Sequence, residues 1–375
     1  MLGTIFIYSI FASYIYPFKL DRRAGVNPYD VILVSRLWRD VAYSTPQLWI
    51  ILPGYYPQLW ETIVKRSGSL PLHLQWLKNV PKSRNHQTWP PEILEDPNCY
   101  GRLQGLKLKL KRCWELKSLA QLIVPSYSLR HVHIAEHGGK QVWDDWREFS
   151  TFVQGLPHLT YLGLEGNCIP LGTSSGTTQE WPKHPKLRRV WLKGETSRVF
   201  RFLEFAPLRK LESLDFQAEC ARDVSEVTEQ DLQRVFQDFW KGRDVAPRSL
   251  ALSPSGSNLE IIINQCRAPG GRTECGTNAP LLKLTVTGFN GISRGAWKRL
   301  INALPSLPGV EELILRDVRI YNSEAERLLR LAPQTKRIVA TGLYAKFLVW
   351  ALKPGGVATP GNICTPATGP LFTIS

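Results

Sequence analysis

Most of the short signatures that announce chemistry are missing from this chain. The seven cysteines (Cys99, Cys113, Cys168, Cys220, Cys266, Cys275 and Cys364) are odd in number, scattered, and never spaced Cys-x-x-Cys. They fit a reducing compartment better than a disulfide framework, and they offer no zinc pair. No Walker loop or dinucleotide fingerprint is found, and no nucleophile elbow is expected. His131, His133 and His137 come closest to a metal cluster, but no carboxylate or cysteine of suitable spacing supports them. They read as exposed strand histidines. Asp144 and Asp145 stand between tryptophans near a helix start, where acidic groups suit the helix dipole better than they suit catalysis. The expectation is a protein with no catalytic residues, no metal and no cofactor.

A membrane anchor is not expected either. Leu2 to Phe18 carries no charge, yet as a helix it reaches only about 26 Å against the ~30 Å of a hydrocarbon core. It has no basic n-region and no small-residue cleavage site, and Ser9, Ser13 and three tyrosines weaken it further. It reads as a packed helix. Charge of one sign is in excess, at +15 over 375 residues, which makes an acidic partner or nucleic acid conceivable. Because the lysines and arginines are spread along the chain, they read as solvated surface, and binding to nucleic acid or membrane is not expected.

What is present is a repeat. The template Leu-x-x-Leu-x-Leu, with Val or Ile allowed, occurs at Leu103/Leu106/Leu108, Leu129/Val132/Ile134, Leu159/Leu162/Leu164, Leu187/Val190/Leu192 and Leu211/Leu214/Phe216. Looser copies lie at Leu250/Leu252, Leu281/Leu284/Val286, Val310/Leu313/Leu315 and Ile338/Ala340. The spacing, roughly 24 to 36 residues, brackets that of leucine-rich repeats. Between copies, Leu116/Leu119/Ala120/Ile123, Val199/Phe202/Leu203/Ala206, Leu232/Val235/Phe236/Phe239 and Trp297/Leu300/Ile301/Leu304 show the i, i+3, i+4, i+7 pattern of helices. Ser323 stands where an N-cap would open a further helix. Pro125, Pro157, Pro207, Pro305 and Pro333 break each helix before the next strand. Helix, break, strand, repeated, describes an α/β solenoid of parallel strands backed by helices; a doubly wound α/β domain is the alternative. Gly166–His184 and Ser253–Pro280 read as loops, with an added strand at Leu259–Ile263.

The stretch Val34 to Trp49 stands apart. Val34, Leu37, Trp38 and Val41 fall on one helical face, and Ser44-Thr45-Pro46 stops the helix. Ser35-Arg36-Leu37-Trp38-Arg39-Asp40-Val41-Ala42, then Thr45-Pro46-Gln47-Leu48-Trp49, resembles the second half of the F-box of fungal (basidiomycete-type) F-box proteins. Leu59-Trp60 and Arg66-Ser67-Gly68-Ser69-Leu70-Pro71-Leu72 are similar to the segment that such proteins carry after the box. The opening Leu-Pro-x-Glu-Leu-Leu has no counterpart before Ile5-Phe6, so the box reads as truncated at its start, and Ser35 replaces the usual cysteine. The resemblance implies an N-terminal F-box-like helical segment ahead of an irregular leucine-rich-repeat region.

The chain thus reads as four segments: an F-box-like segment and extension at 1–77, a linker at 78–102, the repeat region at 103–352, and a loosely ordered tail at 353–375. The resemblance further implies the substrate-recognition subunit of an intracellular (cytoplasmic or nuclear) Skp–cullin–F-box ubiquitin ligase. Its implied contacts with the Skp-type adaptor are Ile5, Phe6, Pro28, Val34, Leu37, Trp38 and Trp49. The alternative is a non-ligase repeat scaffold with a vestigial F-box. If the leucines face the core, the intervening residues line the opposite, concave face. Lys107, Lys109, His131, His133, Tyr161, Arg189, Trp191 and Asp215, with Lys193, Lys283 and Arg316, then form the candidate partner-binding stripe. Its basic bias suits an acidic or phosphorylated protein substrate.

Overall fold

The computed structural model of the chain describes residues 35–53, 59–77, 96–110, 128–136, 139, 141–171, 181, 186–219, 229–241, 247–255, 258–264, 281–287, 294–316, 318, 321–341 and 371–374. Ile5, Phe6, Pro28, Val34, His137 and the helix expected at Leu116–Ile123 lie outside them. The chain divides into two compact units, Met1–Thr173 with Pro182–Leu187, and Ser174–Trp181 with Arg188–Ser375.

In the first unit, helix α1 (Arg36–Tyr43) opens on Ser35, whose Oγ accepts the Trp38 N–H at 3.2 Å, the usual way an orphan amide of a first turn is satisfied. Pro46 comes next, and Pro46–Trp49 turns as a 3-10 helix. The chain then runs through β1 (Ile51–Pro53), α2 (Trp60–Arg66), β2 (Leu72–Leu77), α3 (Pro97–Tyr100), β3 (Leu103–Leu110), β4 (His131–Glu136), α4 (Trp146–Gln154) and β5 (Tyr161–Gly166). The five strands pair in sequence order, all parallel. Their register aligns Leu52, Leu74, Leu106, Val132 and Leu162 in one row, and Trp76, Leu108, Ile134 and Leu164 in the next. The first row is fully buried. Burying each such side chain contributes about 1.5–3 kcal/mol.

This ladder starts earlier than the leucine template indicated. Ile51–Pro53 and Leu72–Leu77, read from sequence as part of a helical segment, are its first two strands. They lack the six-residue template because β1 is too short to show it, and β2 meets β3 through a register shift at Leu72/His73. Helix α4 begins as the acidic pair suggested: Asp145 accepts the Glu148 N–H at 2.7 Å, and Glu148 accepts the Asp144 N–H at 2.6 Å. Trp143 packs on Phe149 and Phe152 and donates its indole N–H to the Cys168 carbonyl at 2.7 Å. The Arg102 guanidinium closes the end of α2, donating to the Leu70 carbonyl and the Ser67 hydroxyl.

The second unit contains β6 (Arg189–Glu195), α5 (Thr196–Phe205), β7 (Ser213–Glu219), α6 (Glu229–Trp240), β8 (Ser249–Ser255), β9 (Asn258–Asn264), β10 (Leu282–Thr287), α7 (Arg294–Ala303), β11 (Glu312–Arg316), α8 (Asn322–Leu331), β12 (Arg337–Thr341) and β13 (Leu371–Ile374). The order is β6-β7-β10-β9-β8-β11-β12-β13. Every pairing is parallel except the two made by β9. The connections through α6 and α7 therefore each pass two intervening strands, where a plain repeat steps to its neighbour. The strand anticipated at Leu259–Ile263 is this antiparallel β9. Phe216, Phe236 and Phe239 are fully buried in the core between sheet and helices.

Two expectations are corrected here. Ser323 is not the N-cap of α8: it lies inside the helix, and its hydroxyl donates to Glu324, which also accepts the Tyr321 N–H. Leu371–Ile374, within the segment read as a loose tail, adds a parallel strand beside β12.

Truncating Leu162 to Ala is expected to lower the unfolding free energy by about 2–5 kcal/mol. Gly166→Ala should cost a further measurable amount, because Gly166 has φ +68° and a Cβ there would stand 2.5 Å from the Glu136 carbonyl oxygen. Urea unfolding of the variants measures both; an unchanged midpoint for Leu162→Ala would contradict the buried row.

Candidate functional site

Opposite the leucine rows of the first unit, three further rows cross the strands. Ile51, His73, Gly105, His131 and Tyr161 form one, and Pro53, Gln75, Lys107, His133 and Gly163 the next. Leu77, Lys109, Ala135 and Glu165 form the third. The two glycines shape this surface. A Cβ on Gly105 would fall 2.1 Å from His73 Nδ1, and one on Gly163 would fall 2.5 Å from His133 Nδ1 and 3.0 Å from the Tyr161 hydroxyl. The rings thus lie down across the neighbouring strand. His73, His131 and Tyr161 succeed one another with centroids 6.4 Å apart at each step.

This arrangement corrects the reading of exposed strand histidines. His133 is only 5% exposed and His131 is half-buried. Burial, and secondarily the neighbouring His131, lowers the pKa of His73 to about 4, because a buried imidazolium loses its hydration. Burial also lowers Lys107, against the opposing attraction of Glu165. His73, Gln75 and Glu165 belong to the surface but escaped the sequence reading. His73 and Gln75 sit on β2, which lacks the full template; Glu165 is an ordinary strand-end acid until the register sets it beside Ala135, in the same row as Lys109.

In the second unit, Trp191, Asp215, Lys283, Ile262, Ala251, Ile314 and Val339 make one row. Its half from β9 to β12 is apolar, so in this row the expected basic stripe ends at β10. Two lysines of the stripe are ion-paired: Lys283 with Glu260 at 2.5 Å and Lys193 with Glu219 at 3.8 Å. Arg189 and Trp191 are half-buried on β6, and Arg316 is exposed at the end of β11.

Helix α1 presents a different surface. Among its residues only Ala42 is fully buried, while Leu37 is 61% and Trp38 37% exposed. Trp49 is not part of that surface. It is 5% exposed, its indole N–H donates to the Ala42 carbonyl at 2.8 Å, and Tyr43 lies at 5.7 Å. The Arg66 guanidinium sits 3.7 Å from the Tyr43 ring centroid and 5.3 Å from that of Trp49, binding α1 to α2 by cation–π attraction.

One match to the elbow pattern exists after all: Gly291-Ile292-Ser293-Arg294-Gly295, between β10 and α7. Ser293 lies outside the described residues, and its unit contains no histidine to act as a base. Cys99 and Cys168 are buried free thiols; burial, reinforced by Asp96, raises Cys99 to about 11, and burial raises Cys168 as well. Both are therefore poor nucleophiles. Among the described residues no group of His, Cys, Asp and Glu is placed to hold a metal, and no helix is long and apolar enough to cross a membrane.

No protein-family model and no curated protein matches the chain. Among solved structures it is similar to the leucine-rich repeat-containing protein LegL7 from Legionella pneumophila. The identity is 14% over 84% of this chain and 88% of that one, with a TM-score of 0.42.

The depressed His73 predicts acid lability. The unfolded chain takes up its proton near the ordinary value of 6.5, whereas the folded chain resists until about 4. The stability His73 contributes is thus present above pH 6.5 and lost as pH falls through 4. His73→Phe should flatten this limb of a urea-midpoint profile relative to wild type, and an NMR titration should place His73 well below 6.

Proposed function

We propose that this chain is the substrate-recognition subunit of a Skp–cullin–F-box ubiquitin ligase. It would dock to the adaptor through α1 while holding a protein target on the strand faces, performing no bond chemistry itself. The observation that carries the reading is the surface of α1. Leu37 and Trp38, two residues through which the F-box resemblance implies adaptor contact, are large, apolar and exposed on a helix whose sequence would ordinarily bury them. A single exposed apolar residue needs no explanation, but two adjacent ones on a short helix suit a docking patch. The reading places the protein in the cytoplasm or nucleus, with a cullin assembly beyond the adaptor. For the target, the lysines of β3 favour an acidic or phosphorylated protein.

A second reading, an interaction scaffold with a vestigial F-box, draws on a specific observation. Leu72, which lies just beyond the box in the resemblance, is built into the repeat ladder by strand pairing, and Trp49 is consumed by packing. Both belong to the body of the repeat unit.

A pull-down of the purified chain with a fungal Skp-type adaptor separates the two. The ligase reading expects capture by wild type and at least tenfold weaker capture by the Leu37→Ala/Trp38→Ala double variant, at an unchanged melting temperature because both residues are exposed. A folded wild type that does not bind the adaptor would favour the scaffold.

A further inference from the structure

We propose that Arg66 is the positioning residue of the α1 surface: its guanidinium, fixed to the first unit through α2, grips Tyr43 and thereby turns Leu37 and Trp38 outward. The inference rests on the reading of α1 as the docking helix, and it names the side chain that sets how that helix is presented.

Burial does little to place α1. Of its residues only Ala42 is buried, and positions 35 to 40 are all exposed, so the apolar packing that orients most surface helices is weak here. A pair of rings stands at its C-terminal end instead. Tyr43 and Trp49 lie 5.7 Å apart, and the Arg66 guanidinium sits 3.7 Å from the first centroid and 5.3 Å from the second. The base of this contact is firm. Arg66 ends α2, whose Trp60 and Ile63 are fully buried and whose Trp60 indole donates to the Pro53 carbonyl of β1 at 2.8 Å. One residue further on, the Ser67 hydroxyl donates to the Val64 carbonyl and accepts from Arg102.

Helical geometry turns that grip into an orientation. At about 100° per residue, Tyr43 lies about 140° from Trp38 and about 120° from Leu37 around the axis of α1. Val41 falls between those two, so the apolar stripe runs along the flank opposite Tyr43. Drawing Tyr43 onto α2 through Arg66 therefore carries the stripe away from the contact. Burying the stripe, the ordinary course for an amphipathic helix, would need the opposite flank turned in. Arginine suits the task because a planar, weakly hydrated cation lies well against two ring faces at once. The contact also joins the two stretches that carry the F-box resemblance, since Trp49 closes the first and Arg66 falls in the second.

The test uses the full chain. Hydrogen exchange followed by mass spectrometry reads the amides of α1 without any adaptor, and capture by a fungal Skp-type adaptor reads the docking surface. Arg66→Gln removes the charge but keeps a planar polar end. It should speed exchange across residues 36–43 and weaken capture, each about threefold to fivefold, as a lost cation–π contact at an exposed site implies. Arg66→Lys, which keeps a cation, should change both by less than about twofold. Tyr43→Leu should match Arg66→Gln, Tyr43→Phe should match wild type, and Arg66→Gln/Tyr43→Leu should lose no more than either single variant. The urea midpoint of the chain should not move, because neither residue belongs to the buried rows. Unchanged exchange in Arg66→Gln, a lysine variant as damaged as the glutamine one, additive losses in the double variant, or a lowered urea midpoint would each overturn the inference. Faster exchange in Arg66→Gln beside a wild type that the adaptor does not capture would support the grip of Arg66 and refute the ligase reading, so the two failures are distinguishable.

Discussion

The structure depends on one constraint, the alignment of a single apolar residue from each parallel strand into a row that excludes water. No strand of three to eight residues can bury its own leucines. Leu52, Leu74, Leu106, Val132 and Leu162 do so together, because the parallel register sets each beside its neighbour. Helices, turns and caps serve that row. Asp145 and Glu148 fix where α4 starts, and Gly166 turns the chain where a side chain would strike the Glu136 carbonyl. The same register determines the opposite face, since side chains alternate along every strand. Core and surface are two consequences of one pairing.

On that opposite face, space is set by what is missing. Gly105 and Gly163 lack the Cβ atoms that would hold the imidazoles upright, and the rings of His73 and His133 lie across them. A residue chosen for the absence of a side chain thereby converts solvated strand positions into buried ones, with the depressed basicity of His73 as the electrostatic result. The second unit reaches a different balance. Two of its lysines are paired with Glu219 and Glu260, and its strands beyond β10 present Ile262, Ala251, Ile314 and Val339. A uniform basic stripe therefore does not exist.

Much of the fold was legible because it rests on local period. The template at Leu103, Leu129, Leu159 and Leu211 marks real strand entries, and the spacing of Phe202, Phe236 and Phe239 marks the buried faces of real helices. Legibility failed where strand order departs from sequence order. Nothing in Leu259–Ile263 says that this strand runs antiparallel, nor that β10 returns to β7 while β8 moves on to β11. It failed also for short elements: β1 offers three residues, too few for any pattern.

The candidate site divides along the same line. The sequence by itself determined which side of each template strand carries polar residues, because alternation is a property of the strand alone, and so Lys107, His131, His133 and Tyr161 could be named. It also marked Leu37 and Trp38 as a pair on one helical face. Only the tertiary structure decided that Trp49 is packed while Leu37 and Trp38 are exposed, that Lys283 is paired, and that Gln75 stands buried beside Lys107. Those facts depend on which distant strands and helices become neighbours, and burial and pairing are properties of neighbours rather than of spacing along the chain.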